Sequence, residues 1–280
     1  MKTVLITGAT GFVGKQVFRN LSELNLNLVP VVRSGKEHLF SGFKQVSRVV
    51  NSPDIFQETT DWWAEKCQGV DVIIHLAWYV EPGKYLQSTK NIDCLIGSLN
   101  LAKGAIKAGI KRFVGIGTCF EYDLDGGVLS VNTPLKPLST YADSKASLFM
   151  NLAHWLPQES VEFAWCRLFY LYGDGEDERR LVPYIRKQLL NNEPVQLTSG
   201  KQVRDFLDVV DAGRMISTVA LGKKQGPVNI CSGNPITVRK FAEQISCEYG
   251  RIELLNFGVR PENAVDPPFI LGIPNHDIID

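Results

Sequence analysis

The chain has 280 residues, enough for one large α/β domain or for a domain with a smaller lobe. Thirty basic and thirty acidic residues give a formal net charge of zero, so the composition offers no sign of a nucleic-acid-binding surface. The six cysteines show neither a C-x-x-C pair nor zinc-ligand spacing, and no apolar run approaches the length of a membrane span. We therefore expect a cytoplasmic protein with reduced thiols and with no metal, nucleic-acid or membrane partner.

Apolar, β-branched segments alternate with helical segments along the first part of the chain. The expected buried parallel strands are Thr3–Thr7, Asn27–Val32, Val70–His75, Arg112–Gly117 and Glu162–Leu168. Helix-spaced apolar residues occur between them, at Gly14–Leu24, Asp61–Cys67 and Asn91–Ala108. This alternation predicts an α/β fold with a doubly wound parallel sheet.

The pattern changes after about residue 175. Two amphipathic helices, Leu181–Leu190 and Thr237–Tyr249, are separated by turns and by the segment Arg204–Asp211. We expect residues 1–175 to form a nucleotide-binding domain and residues 176–280 to form a smaller substrate lobe. The lobe is expected to be interleaved with the first domain, with part of it returning to the sheet.

A glycine-rich turn follows the first strand and opens the first helix, with glycines at positions 8, 11 and 14. Gly8 permits a sharp turn, Gly11 lets the backbone approach a pyrophosphate, and Gly14 allows close contact between helix and sheet. Backbone N–H groups at the helix N-terminus then face the phosphates. The turn predicts a dinucleotide site that includes Gly8, Thr10, Gly11, Phe12, Val13 and Gly14.

The residues after the second strand discriminate between nicotinamide cofactors. An acid there binds the adenosine ribose of NAD, whereas a basic residue favours the 2′-phosphate of NADP. The chain has Arg33 and Ser34 at this point, with Lys36 nearby and no acid. We expect NADP(H), with NAD(H) possible, because a guanidinium offers a fork of donors to phosphate. The alternative is that Arg33 is a solvated residue at the edge of the sheet.

Tyr141 and Lys145 are four residues apart, so on a helix they lie on one face, one turn apart. An ammonium in that position can stabilise phenolate and lower the pKa of the tyrosine, giving a usable proton donor. With the glycine turn upstream, this pair resembles the extended short-chain dehydrogenase/reductase superfamily, the NAD-dependent epimerase/dehydratase family. The resemblance implies a Rossmann-type fold, a nucleotide-sugar substrate and a homodimer.

The resemblance also implies roles for individual residues. Thr118 stands four residues before Tyr122 and matches the hydroxyl residue that polarises a substrate carbonyl. Tyr141 matches the proton donor to the forming alkoxide, and Lys145 the residue that binds the nicotinamide ribose. Matching positions imply further cofactor contacts at Asp54, Ile55, Ala77 and Phe169, and substrate contacts at Cys119, Tyr170, Arg204 and Arg260. The alternative for Arg204 is a structural ion pair with Asp205 or Asp208.

Several positions depart from the family pattern. Trp78 follows His75-Leu-Ala where a small residue is usual, and Cys94 stands where many relatives carry asparagine. Asp123 replaces a glycine, and Tyr170 replaces an asparagine that contacts substrate. His75 is expected to be a core histidine rather than a catalyst. Two further residues, Arg179 and Arg180, are expected to be solvated.

The neighbours of Thr118 discriminate among activities within the family. Sugar dehydratases need an Asp-Glu pair directly after the hydroxyl residue, and this chain has Cys119 and Phe120. The string around Thr118 resembles nucleotide-sugar 4-ketoreductases such as the dTDP-6-deoxy-talose and CDP-abequose synthases. We therefore predict NADPH-dependent reduction of a nucleotide-linked 4-keto-6-deoxyhexose. The alternatives are an NAD-dependent 4-epimerase and a non-catalytic NADP-binding regulator, and the intact Thr118, Tyr141 and Lys145 argue against the regulator.

Overall fold

The computed structural model describes residues 1–262 and 267–275. Its longer strands and several two- and three-residue strands are numbered here in chain order. They are β1 (Thr3–Thr7), β2 (Asn27–Val32), β3 (Val50–Asn51), β4 (Val72–His75), β5 (Arg112–Thr118), β6 (Val128–Leu129), β7 (Glu162–Leu168), β8 (Tyr170–Tyr172), β9 (Val195–Gln196), β10 (Val203–Asp208), β11 (Gly226–Ile230), β12 (Pro235–Thr237), β13 (Leu255–Asn256) and β14 (Leu271–Gly272).

The α-helices alternate with these strands through the first part of the chain and continue into the lobe. They are α1 (Phe12–Ser22), α2 (Thr60–Lys66), α3 (Lys90–Lys107), α4 (Thr140–Trp155), α5 (Leu181–Leu190), α6 (Val209–Leu221) and α7 (Val238–Tyr249). None of the helices in the described part of the chain is long and apolar enough to cross a bilayer.

The central sheet has seven strands in the order β11-β7-β5-β4-β1-β2-β3. Every neighbouring pair in it is parallel. The chain winds outward from β1 in both directions, so the strand order reverses between β1 and β4. In doubly wound sheets this reversal creates a crevice at the carboxyl ends of the strands, where ligands bind. The predicted fold class is confirmed.

Two apolar layers enclose the sheet because successive strand side chains point to opposite faces. Val4 and Ile6 of β1 pack with α1 and α6 on one face. Leu5 between them packs with α2, α3 and α4 on the other, together with Trp165 of β7. Burying each such aliphatic side chain stabilises the fold by about 1.5–3 kcal/mol.

The C-terminal part builds a small second body on this frame. α5 and α7 share an apolar cluster. Beside them lie a two-stranded sheet, β9–β13, and a three-stranded sheet, β8–β10–β12. β11, which lies within the predicted lobe, is the edge strand of the central sheet. The division at residue 175 stays a prediction, and residues 263–266 and 276–280 of the predicted lobe lie outside the described residues.

The segment Arg204–Asp211, to which the sequence assigned no element, contains most of β10 and the start of α6. The change occurs at Asp208, whose side chain accepts the backbone N–H of Val210 at 2.7 Å. That contact caps the N-terminus of α6, which the sequence analysis did not predict. Asp208 therefore ends β10 and directs the chain back across the sheet.

Candidate active site

The glycine turn between β1 and α1 is held by contacts that no larger residue would allow. Gly8 has φ +73°, and a Cβ there would lie 2.7 Å from the backbone nitrogen of Ala77. A Cβ on Gly14 would lie 2.0 Å from the carbonyl oxygen of Gly8. The turn is therefore closed tightly against both α1 and the residues that follow β4.

The N-terminus of α1 has the properties of an anion site. Gly11 is the N-cap residue, and within the described structure no side chain caps it and no acid occupies the first turn. The first N–H groups of a helix lack intrahelical partners and lie at the positive end of its dipole. Phe12 and Val13 begin the helix, so their backbone groups are available to a pyrophosphate, and Thr10 lies in the same turn. These residues fit a dinucleotide.

The predicted adenosine contacts lie along the edges of the same crevice. Arg33 and Ser34 are exposed directly after β2. Asp54 accepts the backbone N–H of Phe56 at 3.0 Å, and Ile55 is partly buried against the apolar layer of α2 and α3. Ala77 donates its backbone N–H to the Thr7 hydroxyl at 3.3 Å. Ile55 therefore has a packing role whether or not it also touches adenine.

His75 is a core histidine, as predicted. Its Nδ1 lies 2.8 Å from the Thr7 hydroxyl and its Nε2 lies 2.7 Å from the Ser98 hydroxyl. Ser98 donates its proton to the Cys94 carbonyl, so it accepts from His75, and the neutral ring carries its proton on Nε2. Burial, reinforced by Lys145, lowers the pKa of His75 to about 3. The histidine is thus a neutral link between β1 and α3.

Thr118 ends β5 and is fixed by a reciprocal cap. Its hydroxyl accepts the N–H of Phe120 at 3.3 Å, and the Glu121 carboxylate accepts the N–H of Thr118 at 2.8 Å. A Cβ on Gly117 would lie 2.3 Å from that carboxylate, so glycine is needed for its approach. Glu121 is fully buried, and it also accepts from Trp165 and Arg167.

Tyr141 and Lys145 lie in the first turns of α4. Ser139 begins this helix by accepting the N–H of Ala142 at 3.2 Å. The Tyr141 and Thr118 side chains line the same cavity, close enough for the Thr118 hydroxyl to lower the pKa of the Tyr141 phenol. The ring of Tyr85 packs edge-on against the Tyr141 ring, with 4.8 Å between the centroids. The threonine and the tyrosine predicted from the sequence therefore meet.

In this structure the pKa of Tyr141 is raised, not lowered towards neutrality as the pairing with Lys145 predicted. Burial raises the pKa of Tyr141, with added contributions from Tyr85 and Glu121, and the nearby Thr118 hydroxyl only partly offsets them. The Lys145 ammonium instead donates to the Ile116 carbonyl oxygen at 2.5 Å. Burial lowers the pKa of Lys145 to about 7, against the opposing effects of Glu121 and Cys94. Tyr141 is therefore a neutral phenol, suited to donate a proton.

A cavity of about 790 Å³ connects the glycine turn with these side chains. Phe12 and Val13 line it at the N-terminus of α1, and Thr118 and Tyr141 line its wall. The other predicted site residues that line it are Cys119, Phe169, Tyr170 and Arg204. Among the described residues, no group of His, Cys, Asp and Glu is arranged to hold a metal ion.

The predicted arginines differ in position. Arg204 is 2% exposed, lines the cavity and lies 5.1 Å from the centroid of the Tyr170 ring. Asp205 accepts instead from Ser232, Gly233 and Gly272, and Asp208 caps α6, so the alternative ion pairs of Arg204 lose support. Arg260 is exposed over the Tyr184 ring and is not among the described residues that line the cavity.

Arg179 and Arg180 both line the cavity and both are exposed, so the expectation that they are solvated is confirmed. The Arg180 guanidinium lies 3.5 Å from the Glu176 carboxylate and near enough to Tyr85 to lower the pKa of that phenol. Arg179 is 57% exposed and pairs with Asp177 at 2.8 Å. The loop after β8 thus reaches the segment that carries Tyr85, across the mouth of the cavity.

Sequence reasoning missed Tyr85, Glu121 and Arg180. Only Glu121 had a usable signal, the Thr-x-x-Glu spacing from Thr118 that is typical of a capping box. Tyr85 and Arg180 lie in segments far apart in the sequence, and no local pattern predicts that they come close together.

Comparison with known proteins identifies the family of this chain. The sequence profile of the NAD dependent epimerase/dehydratase family matches residues 4–231. The chain belongs to this family. It is therefore an NAD(P)-dependent oxidoreductase of the extended short-chain dehydrogenase/reductase type, as the motifs indicated.

Three relatives of the epimerase/dehydratase family illustrate the likeness. The dTDP-6-deoxy-L-talose 4-dehydrogenase (NAD(+)) of Aggregatibacter actinomycetemcomitans is 24% identical, with 96% of this chain and 98% of that protein covered. The CDP-abequose synthase of Salmonella muenchen is 24% identical over 92% of this chain and 84% of that one. The solved UDP-N-acetylglucosamine 4-epimerase of Methanobrevibacter ruminantium, in complex with UDP-N-acetylmuramic acid, has a TM-score of 0.85 at 21% identity, covering 98% and 89%. Relatives in this family thus modify nucleotide sugars.

Proposed function

We propose that the protein reduces the 4-keto group of a nucleotide-linked 4-keto-6-deoxyhexose, with NADPH as the reductant. The observation that carries this proposal is that Thr118 and Tyr141 lie together in the wall of a cavity that also reaches the N-terminus of α1. A substrate oxygen between two hydroxyl donors is polarised by both.

The proposed chemistry divides between the chain and its cofactor. A reduced nicotinamide, when bound, supplies the hydride. Thr118 donates a hydrogen bond to the carbonyl oxygen, and Tyr141 transfers its phenolic proton to that oxygen as charge develops. Lys145 supports the phenolate that is left, and is proposed to bind the nicotinamide ribose. Gly8, Gly11, Phe12, Val13 and Gly14 would hold the pyrophosphate.

The residues next to Thr118 favour reduction over dehydration. Burial raises the pKa of Cys119 to about 12, so this thiol stays neutral. Phe120 packs edge-on to Tyr170, with ring centroids 6.1 Å apart. The nearby carboxylate, Glu121, is occupied by Thr118, Trp165 and Arg167. No described side chain beside Thr118 therefore acts as the acid–base pair that elimination needs, and an apolar wall suits a 6-deoxy sugar.

The NADP preference depends on Arg33, and the adenosine contacts of Ser34, Asp54, Ile55 and Ala77 are part of the same proposal. The talose dehydrogenase relative is named for NAD(+), which keeps NAD(H) open as the cofactor. Substrate contacts are proposed for Thr118, Cys119, Tyr170, Arg204 and Arg260, and a nicotinamide contact for Phe169.

The alternative is an NAD-dependent 4-epimerase, which the likeness to the solved 4-epimerase fold leaves equally open. An epimerase oxidises and re-reduces the same carbon, so it retains its cofactor. The third candidate is a regulator that binds NADP without turnover.

One assay separates these candidates. The purified protein is incubated with dTDP- and CDP-linked 4-keto-6-deoxyhexoses and NADPH or NADH, and separately with UDP-hexoses without added cofactor. A reductase consumes reduced nicotinamide in equal amount to ketosugar; an epimerase interconverts the UDP-hexoses with cofactor retained from purification. Tight NADP binding without turnover in either reaction would support the regulator and reject the proposed reductase.

We also propose a homodimer and a cytoplasmic location. Exposed Ile92 and Ile96 on α3, with Met150 on α4, offer apolar surface for the dimer. Light scattering after size exclusion, with Ile96→Asp as the variant, tests it: a monomeric wild type would reject the dimer.

A further inference from the structure

The structure gives the indole of Trp78 a specific position beside Lys145. The Lys145 ammonium lies 3.8 Å from the centroid of the Trp78 ring. A cation over an aromatic face at this distance is attracted by the ring quadrupole. Because Lys145 is only 2% exposed, this attraction is weakly screened by water.

The Trp78 ring is itself fixed by Asn91. The indole N–H donates to the Asn91 Oδ1 at 2.8 Å, and Asn91 is fully buried. The Asn91 amide donates in turn to the carbonyl oxygens of Tyr85, at 2.6 Å, and Ser88, at 2.8 Å. One side chain therefore uses both its acceptor and its donors in this arrangement.

The same amide connects the lysine with the tyrosine. Tyr85, whose carbonyl Asn91 holds, packs its ring against Tyr141. Asn91 thus fixes one aromatic residue beneath Lys145 and another beside Tyr141. Both contacts come from segments that do not belong to α4, so they set the side-chain positions independently of the helix.

We propose that Asn91, Trp78 and Tyr85 form a brace that positions the Lys145 ammonium and the Tyr141 phenol, with Trp78 as the positioning residue that keeps Lys145 charged. The proposal relies on the proposed function only for the roles of Tyr141 and Lys145. The brace itself is a property of the folded chain and can be measured without substrate.

Other groups also face Lys145 and must be kept constant in a test. Glu121 follows β5 and favours the charged ammonium, as does Cys94 on α3. His75 on β4 is neutral, and Trp165 on β7 lies 5.9 Å away. Variants at Trp78 change none of these groups, so a change in the titration of Lys145 reports on the ring.

The experiment is an NMR titration of the intact protein containing isotope-labelled lysine, with the Lys145 resonance assigned by its loss in Lys145→Arg. Loss of the ring in Trp78→Leu removes a stabiliser of the charged form. We expect the neutral-to-charged ratio of Lys145 at a fixed pH to rise roughly three- to thirtyfold. Trp78→Phe retains an aromatic face and should recover most of the wild-type titration.

A second measurement repeats the Lys145 titration in a protein whose tryptophan side chains keep their size and shape. Fluorinated tryptophans weaken the ring quadrupole with little change in size, so added fluorines should lower the pKa of Lys145 stepwise. Fluorinated tryptophan in Trp78→Phe reports the effect of Trp165 and should change the pKa of Lys145 little. An unchanged Lys145 titration in folded Trp78→Leu, or in the fluorinated wild type, would overturn the proposal. Either failure would leave the proposed reaction standing, because no turnover is measured.

Discussion

The Glu121 carboxylate lies 2.6 Å from the Nε of Arg167, and the two side chains are 0% and 1% exposed. This buried pair stands directly behind Thr118, whose N–H the same carboxylate accepts. Removing one partner of such a pair leaves an uncompensated buried charge, which costs about 3–5 kcal/mol. We therefore expect Glu121→Gln to lower the free energy of unfolding by roughly that amount.

Urea denaturation measures this loss, and Asp61→Asn is the matched control because its ion pair with Lys107 is exposed. The control should change stability little. Arg167→Met added to Glu121→Gln should restore part of the loss, and a purely additive double variant would contradict the coupling.

Gly14 and Gly11 separate packing from cofactor binding. A Cβ on Gly14 meets the Gly8 carbonyl oxygen at 2.0 Å, whereas one on Gly11 meets it at 3.3 Å. Gly14→Ala should destabilise the protein by about 1–3 kcal/mol. Gly11→Ala should keep Tm near the wild-type value but weaken nucleotide binding in calorimetry. Equal Tm values for the two variants would contradict this assignment.

His75 should make stability depend on acid pH. The pKa of His75 is lowered from 6.5 to about 3, so its contribution is complete above pH 6.5 and is lost as pH falls towards 3. In His75→Gln the free energy of unfolding should fall less steeply across this window than in the wild type. The control is His154→Gln, at an exposed position, which should leave the wild-type dependence of unfolding free energy on pH unchanged. Parallel curves for wild type and His75→Gln would reject the buried neutral histidine.

Local sequence patterns predicted the individual strands and the glycine turn, because each is specified by residues close together in the chain. Strand alternation placed β1, β2 and β5 within a residue or so, and the Tyr141–Lys145 spacing found α4. The contacts made by Lys145 could not be predicted from local patterns, because Ile116 and Trp78 lie far from it in the sequence. The approach of Arg180 to Tyr85 could not be predicted for the same reason, because these residues are also far apart in the sequence.

Cofactor choice can be tested at Arg33, which is exposed after β2. Arg33→Ala should raise the Kd for NADPH roughly tenfold more than that for NADH, because a guanidinium binds the 2′-phosphate through charge-assisted bonds. Arg19→Ala, exposed at the far end of α1, should affect neither. Equal losses for both cofactors would reject the NADP assignment.

The central claim is that the Tyr141 phenol delivers the proton to the oxygen of the carbonyl being reduced. Single-turnover reduction of a nucleotide-linked 4-keto-6-deoxyhexose, with cofactor and substrate saturating, compares the wild type with Tyr141→Phe. The variant keeps the ring that packs on Tyr85 and loses only the phenolic hydroxyl. We predict a decrease of about 10²–10⁴-fold in the rate with nucleotide affinity retained. A Tyr141→Phe rate equal to that of the wild type would contradict the account.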